Sequence, residues 1–596
     1  MVEPVRYRLR MPEPHTHLLH VEIEAGGVDA PLGLVMPSWT PGSYLMREFP
    51  RNVQGFAAVD GRGRPLAWEK TDKGTWVVQP PEDGGAVRAT YQVYANEISV
   101  RTSHLDATHA AVNGASVFMY VAGRENGPLE LAVEGAPGWR TTTALRRVER
   151  KGPAEVFAAE SYDELVDSPL ETGTHALAEL EVEGKAHRWA VWGRGNLDLS
   201  RLVEDTRRIV LAEREIFGVL PYPDYTFLLH LVPGGYGGLE HRNSTALLAD
   251  RWSFRGKEYE GFLGLVAHEL FHLWNGKRIR PAVLGPFDYT RESYTRDLWV
   301  VEGFTTYYTD LVLRRAGIIS EARYLERLGE SVSRYLATPG RAVQTLAESS
   351  FDAWIKFYRP DANTPNAQIS YYLKGSLVAL LLDLGIRERS GGQRSLDDVM
   401  RVLWSRFGEP GAGFPEGEVE RVASEVAGED LAPWFDRWLR STEELDLDAG
   451  LAAAGLRLVP GDAAEGRKGA AAVKAGETGA RPDLQVGLRF KEEGGRAVVS
   501  QVLAGMPAYR AGANAGDELV ALDGLRVTPQ TLPARLAERR AGDRVALTVF
   551  RRDELVTLEI TLEEAPPSVF RVVPVEAPST EQEAVRADWL RAVVEG

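Results

Sequence analysis

The chain contains no cysteine in 596 residues. That excludes disulfides, thiol nucleophiles and cysteine-ligated zinc. It leaves the redox compartment open, because a cysteine-free chain folds in either setting. Histidine is scarce too, with 11 copies, so two of them at ligand spacing carry weight. Positive charge is in deficit: 69 Lys and Arg stand against 85 Asp and Glu, a formal net charge of −16. This argues against nucleic acid as the main partner and offers no polybasic patch to a membrane. No apolar run is expected to reach the length of a membrane span. The opening residues, Met1-Val2-Glu3-Pro4-Val5-Arg6, lack the apolar core of a signal peptide. A cytoplasmic location is the expectation, with a periplasmic one open if a leader precedes Met1.

With 44% hydrophobic residues there is material for several cores, and the length suggests roughly three or four domains. Residues 1–187 alternate with period two, as in His17–Glu24 and Ala86–Tyr94, with Gly, Pro and Asp turns between such runs. The expectation is an all-β N-terminal domain. Inside it, Met36–Tyr44 reads either as a proline-rich loop packing its own aromatics or as a loop reaching a neighbouring cleft. His104 and His109 lie in a polar stretch and read as surface residues.

The pattern changes near residue 188. Leu199–Phe217 is amphipathic, with Asp198 or Ser200 as candidate cap. Tyr225–Val232 reads as a buried strand, and Ser244–Ala249 as another after the Gly234–Gly238 turn. Residues 188–330 are taken as the catalytic domain and 331–459 as a helical domain that completes its site. Residues 460–482 lack aromatics and read as a flexible linker. A compact unit of strands and short helices follows at 483–565, then a charged tail at 566–596 with a short helix at 581–594.

The chemistry centres on His268-Glu269-Leu270-Phe271-His272 within a proline-free apolar run. On a helix, residues four apart share a face, so His268 and His272 can hold one metal ion, with Glu269 able to reach a water beside it. A peptidase zinc needs a third protein ligand and an open position. Glu302 sits in an apolar helical run, where an unpaired carboxylate is costly; Glu292 has basic neighbours at 291 and 296. Environment favours Glu302, and Glu292 stays open. Glu240 follows Gly237 and Gly238 beside an inferred sheet edge, which can hold an extended peptide and its ammonium. Tyr372 can donate its hydroxyl to an oxyanion.

His268–Pro281, Phe287–Tyr289, Trp299–Tyr307 and Met36–Tyr44 together resemble the glycyl aminopeptidase family, zinc metallopeptidases that carry a PDZ domain. The resemblance implies a multidomain α+β fold: N-terminal β domain, thermolysin-like catalytic domain with a helical segment, and C-terminal PDZ-like domain. It is similar in turn to the wider thermolysin-like aminopeptidases. On that likeness Gly237–His241 stands where the wider group binds the substrate amine, Val301–Thr305 holds the third zinc ligand, and Tyr372–Gly375 holds the oxyanion tyrosine. Three departures follow. The gap to Glu302 is long, His241 replaces an asparagine, and Thr306 stands where a carboxylate supports a ligand histidine, leaving Asp310 as substitute. Residues 486–490 resemble a PDZ carboxylate-binding loop, with Gly487, Leu488 and Phe490 as peptide contacts.

The implied activity is zinc aminopeptidase action on peptides, preferring Gly or Ala at the N-terminus. Its rivals are a zinc endopeptidase of the same chemistry and a non-catalytic peptide-binding scaffold.

Overall fold

The computed structural model describes residues 3–152, 154–461, 484–564 and 566–593. The N-terminal region is built from strands. A seven-stranded sheet runs in the order Arg146–Lys151, Ala154–Ala159, Leu129–Glu134, Val5–Arg10, Leu18–Val28, Gly85–Tyr94, Val53–Asp60. Alternation does the sorting: Val5, Tyr7 and Leu9 are buried while Arg6, Arg8 and Arg10 face solvent. Two four-stranded sheets complete the region. One of them contains His104–Leu105, His109–Val112, Leu170–Gly173 and Arg140–Thr142.

The catalytic sheet begins at Ala176, so the expected boundary at 187/188 falls inside the strand Lys185–Trp192. Composition does not mark this point, because the first strands of the new sheet alternate like those before them. The order is Ala176–Val182, Lys185–Trp192, Asp224–Val232, Ser244–Asp250, Tyr236–Glu240. The helix Leu199–Phe217 links the parallel pair at 185–192 and 224–232. Asp198 is its cap, accepting from the Arg201 N–H at 3.1 Å. Tyr236–Glu240 pairs antiparallel with Ser244–Asp250 and closes the sheet as an edge.

The expected division at 330/331 cuts the helix Glu321–Leu336. One hydrophobic core runs from the catalytic sheet through the helices to Leu590, and it takes in Trp39 and Tyr44 from the N-terminal region. At its centre lies Tyr371–Ser390. The helical segment Thr364–Ser390 does have the length and mean hydropathy, 1.4, of a membrane span, against the expectation of none; 83% of that window is buried inside the protein. Its apolarity serves the core.

The residues read as a tail are built into this body. Phe570–Pro574 pairs antiparallel with Leu456–Pro460, and the helix Thr580–Trp589 seats a fully buried Trp589 whose Nε1 donates to the Tyr307 hydroxyl at 2.8 Å. The C-terminal β unit is therefore an insertion between two strands of one ribbon. The expected linker, beyond Pro460 and Gly461, lies outside the described residues. The inserted unit has its own core, and its sheet starts with the edge strand Leu488–Glu493. Asn366 clamps it: the side-chain amide donates to Val502 O at 2.8 Å and accepts from Ala504 N at 2.7 Å.

Candidate active site

The helix Gly256–Phe271 presents His268, and His272 caps its C-terminal end. Glu302 comes from a π-helical turn, Trp299–Phe304, that continues into the helix Thr305–Arg315. The structure brings the three together. His268 Nε2 and His272 Nε2 lie 3.2 Å apart, and Glu302 Oε2 lies 3.5 Å from the first and 3.2 Å from the second. A tetrahedral zinc with bonds of about 2.0–2.1 Å has edges of about 3.3–3.4 Å. Three edges of that size are present, and the Glu302 oxygen that faces both rings has no hydrogen-bond partner. The donor set fits a divalent ion. Glu292 does not join this group among the described residues.

Each ring is held from behind. His272 Nδ1 stands 2.8 Å from Asn275 O. The Asn275 amide donates to Val300 O, Val301 O and Thr305 Oγ1 at 2.9, 3.1 and 3.1 Å, tying the two ligand helices together. His268 Nδ1 meets Thr309 Oγ1 at 3.1 Å. Asp310, the expected supporting carboxylate, pairs instead with Arg327, Nε to Oδ1 at 2.8 Å. Thr309 is seven positions after Glu302, hence on the same helix face; that spacing was the available signal.

Glu269 lies flat against the edge strand. A Cβ at Gly238 would stand 1.9 Å from Glu269 Oε1, so any larger residue there would push the carboxylate out of this position. Burial pushes the Glu269 carboxyl up to about 8; Glu240 and Glu302 add to this, against the pull of His272. Burial likewise opposes charge on His272, yet Glu302 and Glu240 outweigh it and push the imidazole up to about 10. Three carboxylates thus converge on two imidazoles. Such a field favours cations, whether a metal ion or an ammonium.

Glu240 ends the edge strand and is buried. Among the described residues its carboxylate has no hydrogen-bond or ion-pair partner, while its backbone stands opposite Thr245 in the ladder. Its roof comes from the N-terminal region: a Cβ at Gly42, whose φ is +84°, would meet the Glu240 oxygens at 2.7 and 2.8 Å. The Met36–Tyr44 loop therefore does both things considered for it. Trp39 packs edge-on to Trp354 with ring centroids 5.2 Å apart, and Gly42 lines the cleft. Arg101, from the same region, lines the cleft too and donates to Gly238 O at 3.4 Å. No sequence pattern marks it. His241 turns away: its Nδ1 meets Asp167 Oδ1 at 3.1 Å, and Lys277 joins the same oxygen at 2.7 Å.

Tyr372 lines the cleft, its ring 6.2 Å from that of His268 and nearly parallel to it. Tyr358 lines it as well and was not foreseen. The glycines of Val301–Thr305 and Tyr372–Gly375 explain how these helices meet. A Cβ on Gly303 would stand 2.7 Å from the Gly375 backbone, and one on Gly375 would stand 2.9 Å from Gly303 Cα. Backbone touches backbone, which brings Tyr372 alongside Glu302. The whole cleft has a volume of about 780 Å³.

Comparison with known proteins agrees with this layout. The family model described as the Peptidase M61 N-terminal domain matches residues 6–174. The model of the M61 glycyl aminopeptidase matches residues 261–378, and that of the PDZ domain matches 485–562. A crystal structure of an aminopeptidase N family protein from Idiomarina loihiensis superposes with a TM-score of 0.90 at 33% identity, covering 98% of this chain and 100% of that one. An M1 zinc metallopeptidase from Deinococcus radiodurans aligns at 14% identity and a TM-score of 0.48, over 75% of this chain and 95% of that one. No curated protein matches by sequence.

Proposed function

The chain belongs to the M61 glycyl aminopeptidase family and is a peptidase with a PDZ domain; on that premise we propose that it removes a small N-terminal residue, Gly or Ala, from peptides with the help of one zinc ion. His268, His272 and Glu302 would hold the ion, which supplies Lewis-acid activation of water and of the scissile carbonyl. Glu269 takes the proton of the attacking water and returns it to the leaving amine. Tyr372 donates its hydroxyl to the developing oxyanion. The edge strand through Gly237 and Gly238 aligns the substrate backbone.

One observation carries the exopeptidase reading. Glu240 is buried, its carboxylate has no partner among the described residues, and it is roofed by Gly42. A buried carboxylate wants a cation, and the substrate ammonium is the cation that arrives. The preference for Gly rests on the family description alone, and Ala is added as the next smallest residue.

The PDZ domain supports a second contact with peptide. Leu488–Glu493 is an open sheet edge; Gly487, at φ +81°, ends the loop before it, and Leu488 and Phe490, expected in that loop, lie in the strand itself. A peptide C-terminus can add to such an edge as a strand.

The test is product analysis on peptides that begin with Gly, Ala, Leu or Phe, each with a free and an acetylated N-terminus. Release of Gly and Ala from free peptides alone is expected. Internal cleavage of the acetylated peptides would make the enzyme an endopeptidase. No cleavage of either set by the zinc-loaded protein would leave only a peptide-binding role.

A further inference from the structure

A second set of imidazoles surrounds a glutamate at the seam between the N-terminal region and the catalytic sheet. Glu171, on the strand Leu170–Gly173, has 0% exposure. His109 Nδ1, from the neighbouring strand, lies 3.0 and 3.3 Å from its two oxygens. His230 Nε2 reaches Oε2 at 2.9 Å from the strand Asp224–Val232 of the catalytic sheet. His175 Nδ1 stands 3.8 Å from Oε1. His109 and Glu171 thus come from one side of the seam and His230 from the other, with His175 in the connection between them.

Hydrogen bonds alone leave this set unfinished. The N–H groups of His109 and His230 satisfy the carboxylate. His175 Nδ1 still faces it, buried and without a partner. Its other nitrogen is engaged, 2.7 Å from Thr142 Oγ1. A polar atom left unpaired at this depth costs on the order of 1–3 kcal/mol. Among the described residues no Lys or Arg pairs with Glu171, only histidines, and a buried carboxylate wants a cation.

A cation at the meeting point would supply that charge. It would take a lone pair from His109, from His230 and from the carboxylate. The ligand atoms of these three residues lie within 4.8 Å of one another. The spacings of 2.9 to 3.3 Å from the two rings to the carboxylate are near the edge of about 3.3 Å expected around zinc. His175 lies outside this set of three, 3.8 Å from Glu171 Oε1. Imidazole and carboxylate donors suit zinc and its first-row neighbours. All three ligands are buried, and Trp192 stacks on His109 with ring centroids 3.6 Å apart. Burial of the whole set points to a structural site.

We propose that His109, Glu171 and His230 bind a second divalent transition-metal ion, zinc by preference, which fastens the N-terminal region to the catalytic sheet. The consequence reaches the cleft, because the fastened region supplies Gly42 and Arg101 to it.

Metal analysis of the full chain tests this. Zinc-loaded wild type, freed of loose metal, should carry two equivalents. The His268→Ala/His272→Ala variant lacks the cleft ligands and should carry one. Adding His230→Gln to that pair should bring the content to none. If the triple variant does not fold, the double variant alone decides. A chelator should lower its Tm if the seam holds an ion. One equivalent in wild type and none in the double variant, or a double variant whose melting ignores the chelator, would overturn the proposal and leave the cluster a buried His–Glu ion pair.

Discussion

The molecule holds two clusters in which imidazoles gather on a glutamate, and they differ in what lies around them. At the cleft, His268, His272 and Glu302 meet beside a volume of about 780 Å³, with Glu269, Glu240 and Tyr372 along its wall. At the seam, His109, His175 and His230 enclose Glu171 with no solvent in reach. Donor chemistry is nearly the same in both. The open side separates them: an ion with a vacant position on a cleft can do chemistry, and an ion sealed among buried groups can only hold.

The comparison is sharpest where a ligand is removed. Glu302→Ala should abolish measurable turnover and release the cleft ion, while Glu292→Ala keeps both; metal content and activity on a Gly-initiated peptide check this. If only the Glu292 variant loses metal, the cleft cluster is misassigned. Next in size is Glu269→Gln, which keeps the metal and should lower kcat by about 10²–10⁴, the usual worth of a general base. Near-normal turnover would remove Glu269 from that role. Glu240→Ala should cost about 10–100-fold in kcat/KM on free-amine substrates, since a hydrogen bond to a charged group is worth about 1.5–3 kcal/mol. An unchanged KM for free-amine substrates would end the ammonium assignment.

The smallest effect concerns acid. His187 is buried, with its ring between Tyr222 Oη at 2.8 Å and Lys185 O at 3.0 Å, and burial lowers its pKa to about 4. The unfolded chain takes up that proton from about pH 6.5 downward. Stability from this group is therefore full above about pH 6.5 and lost as the pH falls toward 4, by up to about 1.4 kcal/mol per pH unit. His187→Gln should flatten that part of the stability curve. A seam held by metal would add its own acid sensitivity, since protons compete with the ion for its ligands. The slope that persists in the His187 variant, with and without chelator, separates the two.

The two clusters were also unequally legible. His268 and His272 stand four apart in one apolar helix, so their shared face follows from local geometry. Glu302 could be chosen over Glu292 because a carboxylate among apolar neighbours needs a cation. The seam cluster has no such local signature. His109 reads as a surface residue from its polar neighbours, yet it is fully buried, because the groups that cover it come from residues 171, 192 and 230. The same limit applies to Arg101 and to the strand Phe570–Pro574. Each is placed by partners far along the chain, and periodicity reports only on near neighbours. Period-two alternation was enough for the N-terminal strands, where one face is core and the other solvent.

The contact between Gly303 and Gly375 limits how this cleft can be reshaped. There the spacing between the carboxylate ligand and the phenol is set by main-chain van der Waals radii, which no exchange of side chains alters. Selection, or an engineer, that wished to admit a bulkier first residue would find that wall fixed. The adjustable surface is the roof around Gly42, lent by the N-terminal region. Substrate range and domain docking are then tuned by the same residues.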